Sequence, residues 1–445
     1  MSITTLDALR RGELAGARTL TLRAGLTEFP REILGLADTL EVLDLSSNAL
    51  DSLPDDICRL RHLRVLFCSG NRFLRLPPSL GACTALSQVG FRGSGVQEVP
   101  GESLPPALRW LTLTDNRIET LPTAIGERPL LQKLMLSGNR LRELPGSLAG
   151  AAGLELLRLS ANRFDALPPW LAGLPRLAWL AWAGNPLDQE QEIPATSKPG
   201  FPTPGPVTMN WTDLQLGALL GEGASGRVHQ ALWQPAGGAA PLPVAVKLFK
   251  NAMTSDGLPE REMAASLAAG DHPNLVGALG RLAGHPGKAE GLVMKLLPAH
   301  WQVLAGPPSF ESCSRDVYDP GSSFSPDAVR HLAGGIGAAA AHLHARGLLH
   351  GDLYAHNILW DATTGEGMLS DFGGASFLPE GDFGMALQRI EMRAWGLLLG
   401  ELLDRCAADS PGAPALAELQ LQCVQPVPSA RPLMADALDM LDGLV

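Results

Sequence analysis

The sequence predicts an α/β protein built from two unlike parts, a repetitive solenoid and a mixed α+β domain. Three observations carry this prediction. One phrase recurs at 23-residue steps through the first part of the chain, five prolines crowd residues 188–210, and two acidic motifs, HGDLYAHN and SDFG, lie close together within residues 348–373. We therefore expect the solenoid at residues 1–187, a Pro-rich linker at 188–210 and the second domain at 211–445.

The recurring phrase has the form LxxLxLxxN, followed by LPxxI or LPxxL. A period of about 20–29 residues with this pattern is typical of leucine-rich repeats. The LxL pair would point inward from a short strand, and a buried Asn would satisfy backbone groups where the strand bends away. No turn buries its apolar face alone, so we expect about seven stacked turns. The position of the Asn in this phrase, called the Asn place below, is occupied in successive turns by Gly25, Asn48, Asn71, Ser94, Asn116, Asn139, Asn162 and Asn185.

The outward positions of the repeat strands include side chains that are more apolar than solubility requires. We expect these side chains, Phe67, Trp110, Met135 and Trp179, to face solvent on the concave side of the solenoid. Exposed aromatic clusters favour protein binding, so this face is a candidate docking surface for a protein substrate or partner. The alternative is that the second domain or the linker covers the same side chains.

Composition narrows the class of protein. The net charge of the 445 residues is −11, and residues 201–445 carry 14 basic and 25 acidic residues, so no basic face for nucleic acid is visible. The six cysteines form no CxxC pair, which favours free thiols in a reducing, cytoplasmic setting. No apolar run reaches the length of a membrane span. Heavy use of Ala, Gly, Leu and Pro is typical of proteins from GC-rich bacteria.

The two acidic motifs carry the chemistry of the second domain. Phosphoryl transfer needs an acid to orient a hydroxyl and two oxygen ligands to hold magnesium on the phosphates. Asp352, Asn357 and Asp371 supply all three. The pattern resembles the catalytic loop and metal motif of protein kinases. That resemblance implies ATP and Mg²⁺, a catalytic role for Asp352, Mg²⁺ ligation by Asn357 and Asp371, and two lobes at about 211–295 and 299–445.

Other motifs follow in protein-kinase order. GEGASGRV resembles the glycine-rich loop over the phosphates, and PVAVKLF resembles the strand whose lysine, Lys247, contacts them. Glu262 is the expected helix partner of Lys247, with Glu260 as the competitor. The resemblance implies a nucleotide-binding set made up of Gly221, Gly223, Gly226, Val228, Ala245, Lys247, Met294, Lys295 and Leu297.

The chain departs from the family at three places. Gly351 replaces the arginine before the catalytic Asp, which normally receives an activation-loop phosphate. Tyr354 replaces the lysine two residues after that Asp, and His356 is the candidate to supply the missing charge. LPE at residues 378–380 fits the place of the family's APE, so only residues 374–377 separate it from DFG. We therefore expect a truncated activation segment and no need for its phosphorylation.

Taken together, the chain resembles a Hanks-type serine/threonine protein kinase fused to leucine-rich repeats of the LPxxL type. HGDLxxxNIL also resembles small-molecule kinases that act on aminoglycosides or choline. A third possibility is a pseudokinase scaffold whose repeats bind a partner protein. With only two tyrosines in the chain, autophosphorylation is expected on Ser or Thr. The candidate loop acceptors are Ser309, Ser312, Ser314, Ser322 and Ser323, with an inert exposed insertion as the alternative interpretation of that loop.

Overall fold

The computed structural model describes residues 5–188, 207–235, 240–250, 253–254, 256–407 and 412–444. The chain forms two compact units, Met1–Leu177 and Ala178–Val445. The boundary between these units falls after Leu177, within the predicted repeat domain of residues 1–187. As a consequence, the last repeat turn belongs to the second unit.

The first unit begins with helix α1 (Thr5–Arg10) and continues as a ladder of short strands. The strands are β1 (Thr19–Thr21), β2 (Val42–Asp44), β3 (Val65–Phe67), β4 (Gln88–Gly90), β5 (Trp110–Thr112), β6 (Lys133–Met135) and β7 (Leu156–Arg158). Each strand pairs in parallel with the next. The intervening 3₁₀ helices are Arg31–Leu36, Ile57–Arg59, Pro78–Ala82, Gly101–Ser103, Thr123–Ile125, Gly146–Gly150 and Pro169–Gly173.

The same geometry repeats from strand to strand in the ladder because of its buried asparagines. The Asn139 amide nitrogen donates to the carbonyls of Leu113 and Leu136, both at 2.9 Å, and its oxygen accepts from the Ile118 N–H at 3.1 Å. Where Ser94 takes the Asn place, its hydroxyl donates to the Cys68 carbonyl at 3.0 Å. These side chains satisfy backbone groups that the three-residue strands leave unpaired, as the sequence pattern predicts.

The second unit opens with β8 (Trp179–Ala181) and the 3₁₀ helix Pro186–Asp188. With β8 the described residues contain eight repeat strands, one for each of the eight Asn places from Gly25 to Asn185 and one more than the expected seven turns. Strand β1 forms despite the Gly25 in its Asn place, because Asn48 of the next turn satisfies the nearby Ala24 and Leu26 N–H groups at 3.0 Å.

The N-terminal lobe of the second unit is a six-stranded sheet with one helix. Its strands are β9 (Val207–Asn210), β10 (Leu214–Glu222), β11 (Gly226–Trp233), β12 (Leu242–Phe249), β13 (Ala278–Ala283) and β14 (Gly291–Lys295), and its helix is α2 (Pro259–Ala269). The order is β10-β11-β12-β14-β13-β9, with β9 parallel to β13 and the other pairs antiparallel.

The predicted linker is therefore too long at its C-terminal end. Residues 207–210 form an edge strand because Met209 buries its side chain in the lobe core beside Val246, Leu282 and Val293. Residues 189–206, with all five of the linker prolines, lie outside the described part of the chain.

The C-terminal lobe is mainly helical, as expected for the second half of a bilobal kinase fold. Its elements are β15 (Gln302–Val303), α3 (Pro326–Ala345), β16 (Leu348–Leu349), β17 (Ile358–Trp360), β18 (Gly367–Leu369), β19 (Ser376–Phe377), α4 (Asp382–Leu403), α5 (Ala413–Cys423) and α6 (Met434–Asp442). Ser325 caps α3 by accepting from the Ala328 N–H at 3.2 Å. The buried Trp395 of α4 donates to the Ala333 carbonyl of α3 at 2.9 Å, which joins the two long helices.

Among the residues that the structure describes, no helix is both long enough and apolar enough to cross a bilayer.

Candidate active site

The glycine-rich loop is the turn between β10 and β11. The Gly223 N–H donates to the Gly226 carbonyl at 2.9 Å, and Gly221 lies opposite Val228 in the strand register. A Cβ on Gly226 would lie 2.5 Å from the Leu248 carbonyl oxygen, so only glycine fits against β12. A Cβ on Gly221 or Gly223 would meet nothing within 4 Å. Open space beside these two glycines is what a phosphate-covering loop requires.

Lys247 of β12 pairs with Glu262 of α2, and both side chains are buried. Burial alone would lower the pKa of the Lys247 ammonium, but the charges of Asp371 and Glu262 outweigh burial and raise it. Burial raises the pKa of the Glu262 carboxyl to about 7, against the opposing effect of Lys247. The competitor Glu260 is exposed to solvent on the same helix. The structure therefore brings Lys247 to Glu262 and not to Glu260.

The predicted adenine-binding residues lie on two paired strands and the chain after them. Ala245 of β12 is buried and lies opposite Met294 of β14 in the strand register. Met294 and Leu297 are half-buried, whereas Lys295 is exposed. The half-buried and exposed residues mark the edge of the sheet that a base can reach.

The catalytic loop runs between β16 and β17. The Asn357 amide nitrogen donates to the backbone carbonyl and to the carboxylate of Asp352, both at 2.9 Å. His350 is fully buried, accepts the Asp352 N–H at Nδ1 (3.3 Å) and places Nε2 3.2 Å from the Ser370 carbonyl. Asp352 and Asn357 are thus fixed relative to each other and to the strand that leads to Asp371.

Asp371 has a left-handed backbone, with a φ of 61°, and its side chain is exposed. Its carboxylate accepts the Gly373 N–H at 3.0 Å. The neighbouring Phe372 is 3% exposed and packs against the His350 ring, with centroids 5.3 Å apart. This burial of Phe372 holds Asp371 on the open side of the loop, where its charge perturbs the pKa of both Lys247 and Glu262.

A buried carboxylate on α4 braces the catalytic loop from behind. Glu391 is 1% exposed, accepts the Gly351 N–H at 2.6 Å and lies 2.7 Å from His344 Nε2. Burial would raise the pKa of Glu391, but the hydrogen bond and charge of His344 outweigh it and lower the pKa.

Asp316 is the functional-site residue that sequence reasoning missed. It accepts the His356 N–H at 3.0 Å and lies 2.7 Å from His356 Nδ1. Burial would lower the pKa of His356, but the hydrogen bond to Asp316 and the charges of Asp316, Asp352 and Asp371 raise it. No sequence motif marked Asp316, because it lies in a loop 40 residues earlier in the chain.

The same loop corrects the expectation about acceptor serines. Ser314 is fully buried, as is the neighbouring Cys313, so Ser314 is not an accessible acceptor. The loop is held by backbone hydrogen bonds between Val317 and Gly306 and by the Tyr318 hydroxyl, which donates to Glu401 at 3.2 Å. It is a packed part of the lobe and not an inert exposed insertion, although Ser323 is exposed.

The chain after DFG is short and ordered. Its strand β19 pairs antiparallel with β16, and the Leu378 N–H donates to the Gly347 carbonyl at 2.8 Å. Helix α4 then begins at Asp382. The whole connection from DFG to α4 is residues 374–381, which agrees with the predicted truncation of the activation segment.

Two of the four predicted docking side chains are buried. Trp179 is 2% exposed and Met135 is 7% exposed, so the expectation that they face solvent is wrong. Within the second unit Trp179 stacks on Tyr354 and donates from Nε1 to the Leu353 carbonyl at 2.9 Å. Phe67 and Trp110 remain half-buried, and the Lys133 ammonium lies 4.3 Å from the Trp110 ring centroid.

The site fits ATP with magnesium by its donor set. Mg²⁺ is usually held by one or two carboxylates together with phosphate oxygens and water, and not by an all-protein cage. Asn357 and Asp371 offer such a sparse set of oxygen ligands. The described part of the chain contains no group of three His, Cys, Asp or Glu side chains arranged to hold a metal ion.

Comparison with known families agrees with this geometry. Residues 214–388 match the family model described as protein tyrosine and serine/threonine kinase. Residues 106–164 and 39–60 match two models of the leucine rich repeat. The chain therefore carries leucine-rich repeats followed by a protein kinase domain.

Individual relatives match only in part. A Mus musculus protein named leucine-rich repeat serine/threonine-protein kinase 1 is 38% identical over 86 residues, which are 19% of this chain and 4% of that protein. Leucine-rich repeat-containing G-protein coupled receptor 5 of Rattus norvegicus is 39% identical over 120 residues, 26% of this chain and 13% of the receptor. Receptor tyrosine-protein kinase erbB-4 of Mus musculus is 29% identical over 173 residues, 38% of this chain and 12% of that kinase. The chain thus spans 4% to 13% of the length of these relatives.

Proposed function

We propose that this protein is an ATP- and Mg²⁺-dependent protein kinase that phosphorylates Ser or Thr hydroxyls, on itself or on a recruited partner. The observation that carries the proposal is the assembled constellation in the second unit. Lys247 pairs with Glu262, Asn357 is hydrogen-bonded to Asp352, and Asp371 lies near enough to shift the pKa of the Lys247–Glu262 pair. A protein that only used the fold as a scaffold would not need all five groups in place.

The residues divide the work of phosphoryl transfer between them. Lys247, held by Glu262, would contact the phosphates of ATP, and the amides around Gly221 and Gly223 would cover them. Asp352 would orient the acceptor hydroxyl and accept its proton, a contribution of about 10²–10⁴-fold in rate. Magnesium, held by Asn357 and Asp371, would neutralise charge on the phosphates. The Asn357 amide also keeps the Asp352 carboxylate in place.

The missing charge at Tyr354 has a candidate replacement in the loop itself. His356 lies two residues further on, and Asp316 favours its protonated form. A cation there would partly replace the lysine that related serine/threonine kinases place on the transferred phosphate. This role is part of the proposed function and shares its tests.

Activity should not depend on phosphorylation of an activation loop. The connection between DFG and α4 is only residues 374–381. Gly351 stands where an arginine would receive such a phosphate, and its N–H is held instead by Glu391 at 2.6 Å. We therefore propose that the catalytic loop is already in its working arrangement in the unmodified protein.

Partner recruitment is proposed for the repeat face that retains exposed apolar surface. Phe67 and Trp110 are half-buried, with ring centroids 6.4 Å apart, and they form the aromatic part of this face. All six cysteines are free thiols, which supports a cytoplasmic location.

Incubation of the purified protein with γ-labelled ATP and Mg²⁺ tests the proposal, with Asp352→Asn and Asp371→Asn variants as matched controls. We expect phosphate on Ser or Thr, located by mass spectrometry, and its loss in both variants. Turnover only on added small alcohols would instead indicate a metabolite kinase. ATP binding without any transfer would indicate a scaffold. Either result would overturn the proposal.

A further inference from the structure

The last repeat turn contacts the catalytic loop directly. This turn is residues 178–188 and lies within the second compact unit. The Trp179 ring stacks on the Tyr354 ring with centroids 4.1 Å apart and planes 8° from parallel, and its Nε1 donates to the Leu353 carbonyl at 2.9 Å. The Arg315 guanidinium lies 5.4 Å from the Trp179 ring centroid. The two residues that follow Asp352 are thus fixed by one tryptophan.

The same turn also contacts the chain on the other side of the site. The Trp182 N–H donates to the Ser376 hydroxyl of β19 at 2.9 Å, and both residues are buried. The Leu180 carbonyl oxygen would lie 2.6 Å from a Cβ placed on Gly351. Three segments therefore meet at this turn: the start of the catalytic loop, the two residues after Asp352, and the strand after DFG.

These contacts lie where the truncation leaves the loop unsupported. A longer segment after DFG could pack over the catalytic loop. Here residues 374–381 pass directly into α4. A catalytic loop with no covering segment would lose position, and small displacements of reacting groups are costly to rate.

We propose that the last repeat turn serves as the brace of the catalytic loop in place of an activation segment, with Trp179 as its positioning residue. This inference rests on the proposed kinase function. It assigns Trp179 an intramolecular role, in place of the partner-docking role that its outward position in the repeat strand suggests. It also makes the last repeat turn, residues 178–188, a required part of the catalytic unit.

The brace adds one more constraint at Gly351, the Leu180 carbonyl oxygen, to those that already favour glycine there. Its φ is 70°, a region that residues with a Cβ rarely adopt, and a Cβ would also collide with the Gly374 and Leu180 carbonyl oxygens. Restoring the arginine that related kinases carry at this position should therefore abolish transfer.

The test compares four variants of the full chain in steady-state transfer from ATP to the acceptor residues, with ATP binding and thermal unfolding measured in parallel. Trp179→Ala should lower kcat roughly 10- to 100-fold while ATP affinity stays within about twofold, because the Lys247 pair is untouched. Trp179→Phe keeps a stacked ring and loses only the Nε1 donor, so its loss of kcat should be smaller. Ser376→Ala, a minimal change that preserves folding, should lower kcat several-fold.

Trp211→Ala is the matched control, since it removes a half-buried tryptophan that packs on His285 in the N-terminal lobe. It should leave kcat unchanged at temperatures where the protein is folded. Wild-type kcat in both Trp179→Ala and Ser376→Ala would overturn the brace, and so would a rise in kcat, which would show that the turn blocks the site. Absence of transfer in the wild type refutes the kinase function itself, a result separate from any of these.

Discussion

Glu391 gives the sharpest prediction about how the catalytic loop is held. Its carboxylate is 1% exposed and has two partners, the Gly351 N–H at 2.6 Å and His344 Nε2 at 2.7 Å. Glu391→Ala removes both acceptors and leaves two buried polar groups without them. Each buried polar group left without its partner costs about 1–3 kcal/mol of unfolding free energy, so the two together should cost about 2–6 kcal/mol. For a domain of this size that corresponds to a fall in Tm of roughly 10 °C.

Glu391→Gln is the matched variant because the amide is nearly the same size. Its carbonyl oxygen can accept the Gly351 N–H, and its NH₂ can donate to His344 if that ring carries its proton on Nδ1. Nδ1 of His344 has no partner among the described residues, so the change of tautomer displaces no hydrogen bond. We expect this variant to lose only about 1–2 kcal/mol, mainly from the loss of charge.

Urea or thermal unfolding followed by tryptophan fluorescence measures both variants, and added nucleotide identifies the transition that belongs to the kinase domain. The lowered pKa of Glu391 adds a pH test. A carboxyl whose folded pKa lies below its unfolded value contributes stability above the unfolded pKa, and this contribution falls as pH drops through the folded pKa. The gap between wild type and Glu391→Ala should therefore narrow in acid below about pH 4.5. Equal, small losses in the two variants at neutral pH would refute the bracing role.

Three further predictions test other parts of the molecule. Asn139→Ala should lower the unfolding free energy of the repeats, measured in urea, by about 2–4 kcal/mol, because three backbone groups lose their partner. Arg140→Ala, a substitution at the exposed neighbouring residue, should have little effect. Similar losses in the two variants would refute the role of the buried asparagines. Burial raises the pKa of the Asp188 carboxyl to about 6, so ionising it destabilises the folded protein as pH rises from 4 to 7. Over that range the unfolding free energy of wild type should fall by about 3 kcal/mol relative to that of Asp188→Asn. Parallel curves of unfolding free energy against pH would contradict this. Lys247→Met should lower the rate of phosphoryl transfer roughly 10²–10³-fold. The loss of stability should be small, since Glu262 can take up a proton at neutral pH. Retained activity would show that Lys247 has no part in the mechanism.

The repeats and the order of the kinase motifs could be read from the sequence because both are local patterns. A 23-residue period with a buried Asn needs only strand geometry and backbone hydrogen bonding, and Asn48 to Asn185 follow it with one substitution at Ser94. The choice of Glu262 over Glu260 followed from the resemblance to the helix acid of protein kinases, and the structure places Glu262 on the buried side of α2. Such features depend on neighbours within one element, which the sequence displays.

The errors came from contacts between distant segments. Trp179 resembles an outward-facing binding residue within its own repeat, yet it contacts Arg315, Leu353 and Tyr354 far along the chain and is buried. Asp316 and Ser314 belong to a loop whose polar composition suggests exposure, yet the loop packs against the lobe and its Asp316 holds His356. Val207–Asn210 was assigned to the linker because nothing in that segment shows that Met209 enters the core.

The most direct test of the central claim is the initial rate of phosphoryl transfer by protein that has been fully dephosphorylated by a phosphatase, which is then removed. Rapid-quench samples with γ-labelled ATP and Mg²⁺ would be taken beside the Asp371→Asn control. The structure predicts transfer to Ser or Thr that begins at its full rate without a lag, since the catalytic loop is already braced. A lag that disappears in pre-phosphorylated protein, or no transfer at all, would contradict it.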